Sequence, residues 1–294
     1  MQLEHEHPIA QAHDARPGSS CQAHSRHSDE RMQPISTLIQ PSTTQHCLLS
    51  NDPYINLPVM GIGMTGVIHE VGQDRVVKKA KRHHPGPTRD PEDTEYLNEI
   101  NRETLKNEID VFERLGRHQG IIPCYRTSHY GIELARAQED LESHLNEYPE
   151  REDALKLRWI ASLIESFACI HSCKVFVDDI ALRNILVLNE ELKVADFGQS
   201  ILLPRDAGMG SITENDLYAK IEILHLGSVI YSIAAWQAHK YFFFNPENPD
   251  LCWPASFPDV EGVLCGSIIA KCWQGKYSSI DQLKDEAHLL LAGY

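Results

Sequence analysis

The sequence predicts an α+β fold in two lobes, a small strand-rich N-terminal lobe with one main helix and a larger helical C-terminal lobe. Short apolar runs with glycine between them occupy residues 58–70 and 75–80 and indicate strands joined by tight turns. A helical pattern follows at residues 99–115. Apolar residues then recur at helical spacing over residues 154–171, 216–235, 260–273 and 279–291. Strands are thus concentrated early in the chain and helices late.

Shorter apolar runs complete the predicted elements. They indicate strands at residues 121–125, 130–134, 185–188 and 192–195. Residues 82–95 are polar and contain proline, and we predict a loop there.

Residues 1–50 differ in composition from the rest of the chain. They are rich in His, Gln, Ser and Pro and poor in branched apolar residues, so we expect a disordered tail. The His5-Glu6-His7 run lacks a fixed ligand spacing, and adventitious binding explains it better than a specific metal site. We divide the remainder into an N-terminal lobe, residues 51–137, and a C-terminal lobe, residues 138–294, with a hinge at residues 133–137.

The charge of the chain limits its partners. A formal charge of −15, from 42 acidic and 27 basic residues, repels phosphate backbones and anionic lipids. We therefore expect neither nucleic-acid nor membrane binding. The sequence shows no apolar run of membrane-spanning length and no secretory signal. The cytoplasm is the default expectation, with the nucleus left open, and the cysteines are expected to be reduced.

The first candidate site is the glycine run Gly61-Ile62-Gly63-Met64-Thr65-Gly66-Val67-Ile68. Without Cβ atoms, backbone N–H groups can approach phosphate oxygens closely. A strand follows the run instead of a helix, which favours a flap over a nucleotide and argues against a dinucleotide-binding fold. Taken alone, a glycine hairpin with a purely structural role explains the run equally well.

Two charged residues accompany this run. Lys78 closes the apolar strand Val76-Val77-Lys78 and would reach the α and β phosphates of a nucleotide beneath the flap. Glu108, on the predicted helix, is the candidate partner that would hold this lysine. The ordinary alternatives are a solvated strand-end lysine, as Lys79 illustrates, and a solvated helix glutamate.

The most specific stretch lies between residues 175 and 198. Asp179 is followed after four residues by Asn184, and Asp196-Phe197-Gly198 begins twelve residues after Asn184. Asn184 and Asp196 offer the hard oxygen ligands that Mg²⁺ prefers, and Asp179 can accept a proton from a substrate hydroxyl. Capping and turn residues beside a strand pair are the weaker alternative, given the glycine run and the lysine upstream.

Together these motifs resemble the eukaryotic protein kinases, specifically the divergent kinase-like chains common in filamentous fungi, over about residues 54–292. The resemblance implies a two-lobed protein-kinase-like fold, ATP and Mg²⁺ as cofactors, and a protein substrate. It implies catalytic roles for Asp179, Lys78, Asn184 and Arg183, nucleotide contacts from Gly61, Gly63, Gly66, Ile68, Val76, Lys78, Glu108 and Leu186, and metal ligation by Asn184 and Asp196.

The chain also departs from the family pattern. Val177-Asp178-Asp179 replaces the His-Arg-Asp triplet, so the arginine that reads a phosphorylated activation loop is missing. No Ala-Pro-Glu follows Gly198, which predicts a shortened substrate platform. Glu222 stands where an aspartate usually anchors the catalytic loop. Ala181 replaces the lysine of serine/threonine kinases, whereas Arg183 resembles the tyrosine-kinase-like arrangement.

These features lead to one preferred hypothesis and two alternatives. The preferred one is an ATP- and Mg²⁺-dependent protein kinase acting on Ser/Thr in preference to Tyr. A pseudokinase that binds ATP and serves as a scaffold is the alternative, motivated by the short platform. A small-molecule kinase of related fold is less favoured, because Glu108, the Asp-Phe-Gly triplet and Lys271-Cys272-Trp273 point to the protein-kinase branch.

Overall fold

The computed structural model describes residues 52–87, 90–209, 217–240 and 256–291, all within one compact unit, Leu48–Tyr294. The predicted tail, residues 1–50, lies outside the described residues, as does the hypothesis about the His5-Glu6-His7 run. The division of the chain into a tail and two lobes with these boundaries therefore stays a prediction.

A five-stranded antiparallel sheet forms the N-terminal part of the fold. Its strands are β1 (Val59–Ile62), β2 (Gly66–Glu70), β3 (Arg75–Ala80), β4 (Cys124–Ser128) and β5 (Gly131–Ala135), in the order β1-β2-β3-β5-β4. The register of β3 on β5 pairs Val76 with Leu134 and Lys78 with Ile132. The expected strand-rich lobe is confirmed, and β3 with Lys78 lies at the centre of the sheet.

One long helix, α1 (Pro91–Leu115), packs against β3. Its cap is Asp90, whose side chain accepts a hydrogen bond from the Glu92 N–H at 2.7 Å. Pro91 occupies the first turn, where a missing N–H costs nothing. The predicted loop at 82–95 is therefore too long and the predicted helix start at 99 too late, because proline favours a helix at that one position.

The C-terminal part is mainly helical, as expected. It contains α2 (Leu141–Glu147), α3 (Asp153–Ser172), α4 (Leu217–Ala235), α5 (Gly266–Trp273) and α6 (Ile280–Leu291). The long α3 lies against both α4 and α6, and α4 packs on α5. Two details differ from the predictions: α2 is an additional helix too short to show a periodic stripe, and the predicted helix at 260–273 begins only at Gly266.

Short strands complete the described fold: β6 (Glu139–Asp140), β7 (Val175–Phe176), β8 (Ile185–Leu188), β9 (Glu191–Val194) and β10 (Ile201–Leu202). The β8–β9 hairpin turns through Asn189 and Glu190, with φ of 54° and 61°, as a two-residue type I′ turn requires. At the open end of this hairpin the Ala195 N–H donates to the Asn184 carbonyl at 2.9 Å. The hairpin thereby brings Asn184 next to Asp196.

None of the helices in the described ranges is both long and apolar enough to cross a membrane. The cysteines of those same ranges are Cys124, Cys169, Cys173, Cys265 and Cys272, and none of them forms a disulfide.

Candidate active site

A cleft of about 570 Å³ lies between the five-stranded sheet and the β8–β9 hairpin. Every candidate site residue named from the sequence lines it: Gly61, Gly63, Gly66, Ile68, Val76, Lys78, Glu108, Asp179, Arg183, Asn184, Leu186 and Asp196. Residues separated by more than a hundred positions in the chain therefore meet in one place.

The glycine run forms the turn between β1 and β2 at one wall of the cleft. The Gly63 N–H donates to the Gly66 carbonyl at 2.8 Å and closes the turn. A Cβ added at Gly66 would lie 3.1 Å from Lys78 Cε, so glycine lets the flap sit directly on the lysine. A Cβ at Gly61 would meet nothing within 4 Å, which leaves room above the cleft.

Lys78 is held by two carboxylates. Its Nζ lies 2.6 Å from Glu108 Oε2 and 2.7 Å from Asp196 Oδ1. Burial disfavours the Lys78 ammonium, but the attraction of Glu108 and Asp196 outweighs it and raises the pKa of Lys78 above its ordinary value. The lysine therefore stays charged, and its head is fixed at the wall of the cleft.

The Asp196-Phe197-Gly198 triplet is anchored through its phenylalanine. Phe197 is fully buried and packs edge-on against Phe112 of α1, with ring centroids 5.3 Å apart. Its N–H donates to Glu108 Oε1 at 3.4 Å. Asp196 adopts a left-handed φ of 59°, which is uncommon for aspartate. The half-exposed Asp196 carboxylate consequently lines the cleft while its neighbour is buried.

Asp179 is oriented by the two polar residues that follow it. Arg183 Nη2 donates to Asp179 Oδ1 at 2.8 Å and to Oδ2 at 2.6 Å. Asn184 Nδ2 donates to Asp179 Oδ2 at 3.0 Å and to its backbone carbonyl at 2.9 Å. A short 3₁₀ turn, Leu182–Asn184, folds both donors back onto the carboxylate. These four hydrogen bonds therefore fix the direction of the Asp179 carboxylate.

Asn184 and Asp196 have the donor atoms that a magnesium ion takes. The amide nitrogen of Asn184 is committed to Asp179, which leaves its Oδ1 as an acceptor. Asp196 adds a carboxylate whose side chain is 50% exposed. In the described part of the chain no three His, Cys, Asp or Glu side chains cluster as a metal site. The pair fits Mg²⁺, which commonly takes one or two protein ligands and completes its shell with water and phosphates.

Glu222 of α4 anchors the segment that precedes Asp179. It accepts a hydrogen bond from the Val177 N–H, and its Oε2 lies 2.7 Å from His171 Nε2. Burial raises the pKa of Glu222, while His171 and the Val177 N–H oppose that rise. The sequence pointed to Glu222 but not to His171, because a single histidine in a helical pattern carries no distinguishing signal.

The structure adds further cleft residues that sequence reasoning missed. Ile122, Leu134 and Ala195 extend the apolar walls, and the cleft continues along the backbone of residues 135–137. The N–H groups of Ala135 and Arg136 donate to the carbonyls of Pro123 and Asp74 at 2.9 Å. Only the register of β5 on β3 shows that Leu134 faces the cleft beside Val76.

Comparison with known proteins assigns the chain to a family. The model of the protein kinase domain matches residues 54–237, well over half of the chain. The chain belongs to the protein kinase family. A protein of Acanthamoeba polyphaga mimivirus, provisionally named as a serine/threonine-protein kinase, is 28% identical over 145 residues. That alignment covers 48% of this chain and 25% of the relative, so the chain spans about a quarter of the relative's length.

In this protein kinase chain, the first position of the Val177-Asp178-Asp179 triplet is still an apolar core position. Val177 is buried in the core, with 2% of its surface exposed, whereas Asp178 is exposed. A valine can fill that core position without the histidine of the family pattern. Residues 210–216, which follow the Asp-Phe-Gly segment, lie outside the described residues, so the shortened substrate platform stays a prediction.

Proposed function

We propose that this chain is an active ATP- and Mg²⁺-dependent protein kinase that transfers the γ-phosphate to a protein hydroxyl, on Ser/Thr in preference to Tyr. The observation that carries the proposal is the convergence of all the candidate residues on one cleft, with Lys78 bridging Glu108 and Asp196. Phosphoryl transfer depends mainly on positioning and charge neutralisation, and the cleft provides groups for both.

The apolar part of the cleft is suited to an adenine ring. Ile68 and Val76 contribute from the sheet and Leu186 from the β8–β9 hairpin, so a flat ring fits between two apolar surfaces. Among the hydrogen bonds of the described residues, none uses the backbone of Ala137, whose N–H and carbonyl are left for the edge of the ring. Lys78 would then pair with the α and β phosphates beneath the glycine flap.

The carboxylate of Asp179 is the proposed proton acceptor. It takes the proton of the substrate hydroxyl while the hydroxyl oxygen attacks the γ-phosphorus, and the bond from that phosphorus to the β-phosphate oxygen breaks, releasing ADP. Arg183 orients the carboxylate and places a positive charge near the transferred group. Asn184 and Asp196 would hold Mg²⁺, which, when bound, neutralises charge on the phosphates.

Two observations bear on the acceptor. The mimivirus relative is provisionally named as a serine/threonine-protein kinase, which supports Ser/Thr. Ala181 and Arg183 resemble the tyrosine-kinase-like arrangement instead. An acceptor library must therefore contain Ser, Thr and Tyr peptides as well as an intact protein substrate.

The test measures nucleotide binding and transfer together in the full-length chain. Asp179→Asn should keep Mg²⁺-dependent ATP binding, which a thermal-shift assay measures. The same variant should lower γ-phosphate transfer by roughly 10²–10⁴-fold. Asp196→Ala should lose both. Asp281→Asn, the same change on the exposed surface of α6, is the matched control and should match the wild type.

Each outcome has a distinct meaning. Binding without transfer to any acceptor would support the pseudokinase alternative and overturn catalysis. Transfer that survives in Asp179→Asn would remove Asp179 from its assigned role. Failure of the wild type to bind ATP would overturn both the kinase and the pseudokinase proposals.

A further inference from the structure

Helix α1 holds the segment after Asp196 through a side chain next to Glu108. Asn107 Nδ2 donates to the Gly198 carbonyl at 3.0 Å and to the Ser200 carbonyl at 2.8 Å. Glu108, one position later, pairs with Lys78 and accepts the Phe197 N–H. Adjacent side chains on one helical turn therefore bind both the cleft lysine and the backbone of residues 197–203, here called the post-Asp196 segment.

A second contact lies two helical turns further along α1. Arg114 Nη1 donates to the Leu203 carbonyl at 2.9 Å and to the Cys173 carbonyl at 3.4 Å. The Leu203 N–H in turn donates to the Lys174 carbonyl at 2.9 Å, beside the pairing of β10 with β7. Arg114 thus ties the end of α1 to the far end of the post-Asp196 segment and to the chain leading into β7.

The helix and the segment are also in direct contact one turn before Asn107, at Thr104. A Cβ built on Gly198 would lie 2.6 Å from Thr104 Cγ2. Because the helix and the segment are packed this closely, a displacement of α1 must break the Asn107 hydrogen bonds and at the same time separate Thr104 from Gly198. The position of Glu108 is therefore coupled to the backbone of the segment.

The hydrogen bonds from Asn107 and Arg114 all end on backbone carbonyls, so they need no modified side chain. Ser200 is the one hydroxyl-bearing residue of the post-Asp196 segment, and it is only 5% exposed. Asp178, directly before Asp179, would repel a phosphate group. Asn107 and Arg114 therefore attach the segment to α1 without a phosphate group.

We propose that Asn107 and Arg114 are positioning residues that keep Glu108 on Lys78 while the chain is unphosphorylated. The proposal rests on the proposed kinase function, because it concerns activation of the same site. The newly made protein is then already arranged for transfer. Phosphorylation of the post-Asp196 segment is then not required for activity.

The test uses full-length protein treated with phosphatase and verified as phosphate-free by mass spectrometry. Wild type should transfer phosphate in this form. Asn107→Ala and Arg114→Ala should each lower kcat roughly 10-fold, since each removes two hydrogen bonds, and should leave the KM for the protein substrate within about twofold. Arg102→Ala is the matched control, because Arg102 lies on the same helix and bonds only to its exposed Glu95 and Glu99.

Three further measurements separate positioning from general stability. Arg114→Lys should restore most of the activity, because it keeps a charged donor for the Leu203 carbonyl. Asn107→Ala should add no loss in a Glu108→Gln background, since it acts through Glu108. Amide hydrogen exchange over residues 104–115 and 197–203 should accelerate in Asn107→Ala and stay unchanged in Arg102→Ala.

The outcomes distinguish this inference from the function on which it rests. Wild-type transfer that appears only after phosphorylation overturns the inference and leaves the kinase function intact. If the wild type never transfers phosphate, the proposed function is overturned. The hydrogen-exchange measurement then tests the positioning role by itself. Unchanged exchange in Asn107→Ala, or additive losses with Glu108→Gln, overturns the inference.

Discussion

At the scale of single residues, the buried contact between Lys78 and Glu108 dominates the site. Lys78 is 8% exposed and Glu108 is not exposed at all, so removing one partner leaves an uncompensated buried charge. Lys78→Met should therefore abolish transfer and also destabilise the fold, by roughly 3–5 kcal/mol at neutral pH. Chemical denaturation of the variant and of wild type measures this difference.

The destabilisation should depend on pH. Burial raises the pKa of Glu108 and Lys78 opposes that rise, so the pKa rises further when the lysine is absent. When folding raises the pKa of a carboxyl group, the protein loses stability as the pH rises above the pKa of that group in the unfolded chain. The free energy of unfolding of Lys78→Met should thus be closer to that of wild type at pH 5 than at pH 8. The double variant Lys78→Met/Glu108→Met should lose this pH dependence, and a flat difference in the single variant would contradict the argument.

At the scale of elements, the packing of α1 on the post-Asp196 segment depends on the missing side chain of Gly198. Gly198→Ala places a methyl group 2.6 Å from Thr104 Cγ2, closer than real Cβ contacts allow. Such overpacking costs roughly 1–3 kcal/mol, and we expect it to move α1 away and lower kcat about 10-fold. Steady-state kinetics on the purified variant measure the loss.

A second substitution should relieve this clash. Thr104→Ser removes Cγ2, and the nearest remaining atoms lie at 3.6 Å and 3.7 Å, within ordinary contact distance. Gly198→Ala/Thr104→Ser should then recover most of the activity, with Thr104→Ser alone close to wild type. If the double variant is as impaired as Gly198→Ala, the loss has a cause other than this contact.

At the scale of the whole molecule, the chain before β1 belongs to the folded unit. Tyr54 is 5% exposed and its hydroxyl donates to Glu133 of β5, while Lys79 of β3 pairs with Asp52 at 2.5 Å. Burial and the Glu133 carboxylate raise the pKa of Tyr54 to about 12, so the phenol remains a donor at all ordinary pH values. Residues 52–57 are thus held across the sheet at two points.

This attachment predicts where the chain can be shortened. The fragment 48–294 should melt within about 2 °C of the full chain. The fragment 58–294 should melt several degrees lower, because losing the Tyr54 and Asp52 contacts costs roughly 1–3 kcal/mol. Differential scanning calorimetry on the three proteins measures this. Equal melting temperatures for both fragments would show that the two contacts contribute no stability.

The sequence by itself determined one part of the site, the group Asp179, Asn184 and Asp196, because the spacing of these three residues is local. Only a 3₁₀ turn and the β8–β9 hairpin with its two-residue turn separate Asp179, Asn184 and Asp196, so residue types and short-range geometry suffice to bring them together. Period-two and helical patterns likewise predicted the lobes. The beginning of α1 was missed because proline and acidic residues are shared by loops and first helical turns.

Only the tertiary structure decided how α1 is held. Asn107 and Arg114 bond to backbone carbonyls about 90 residues away in the chain, as the Asn107–Gly198 separation of 91 and the Arg114–Leu203 separation of 89 show. Every residue carries a carbonyl, so such bonds leave no residue-type pattern at the accepting end. The same is true of the tight contact at Gly198. The residue types of the site can thus be recognised in the sequence, whereas the contacts that hold α1 in position depend on long-range geometry.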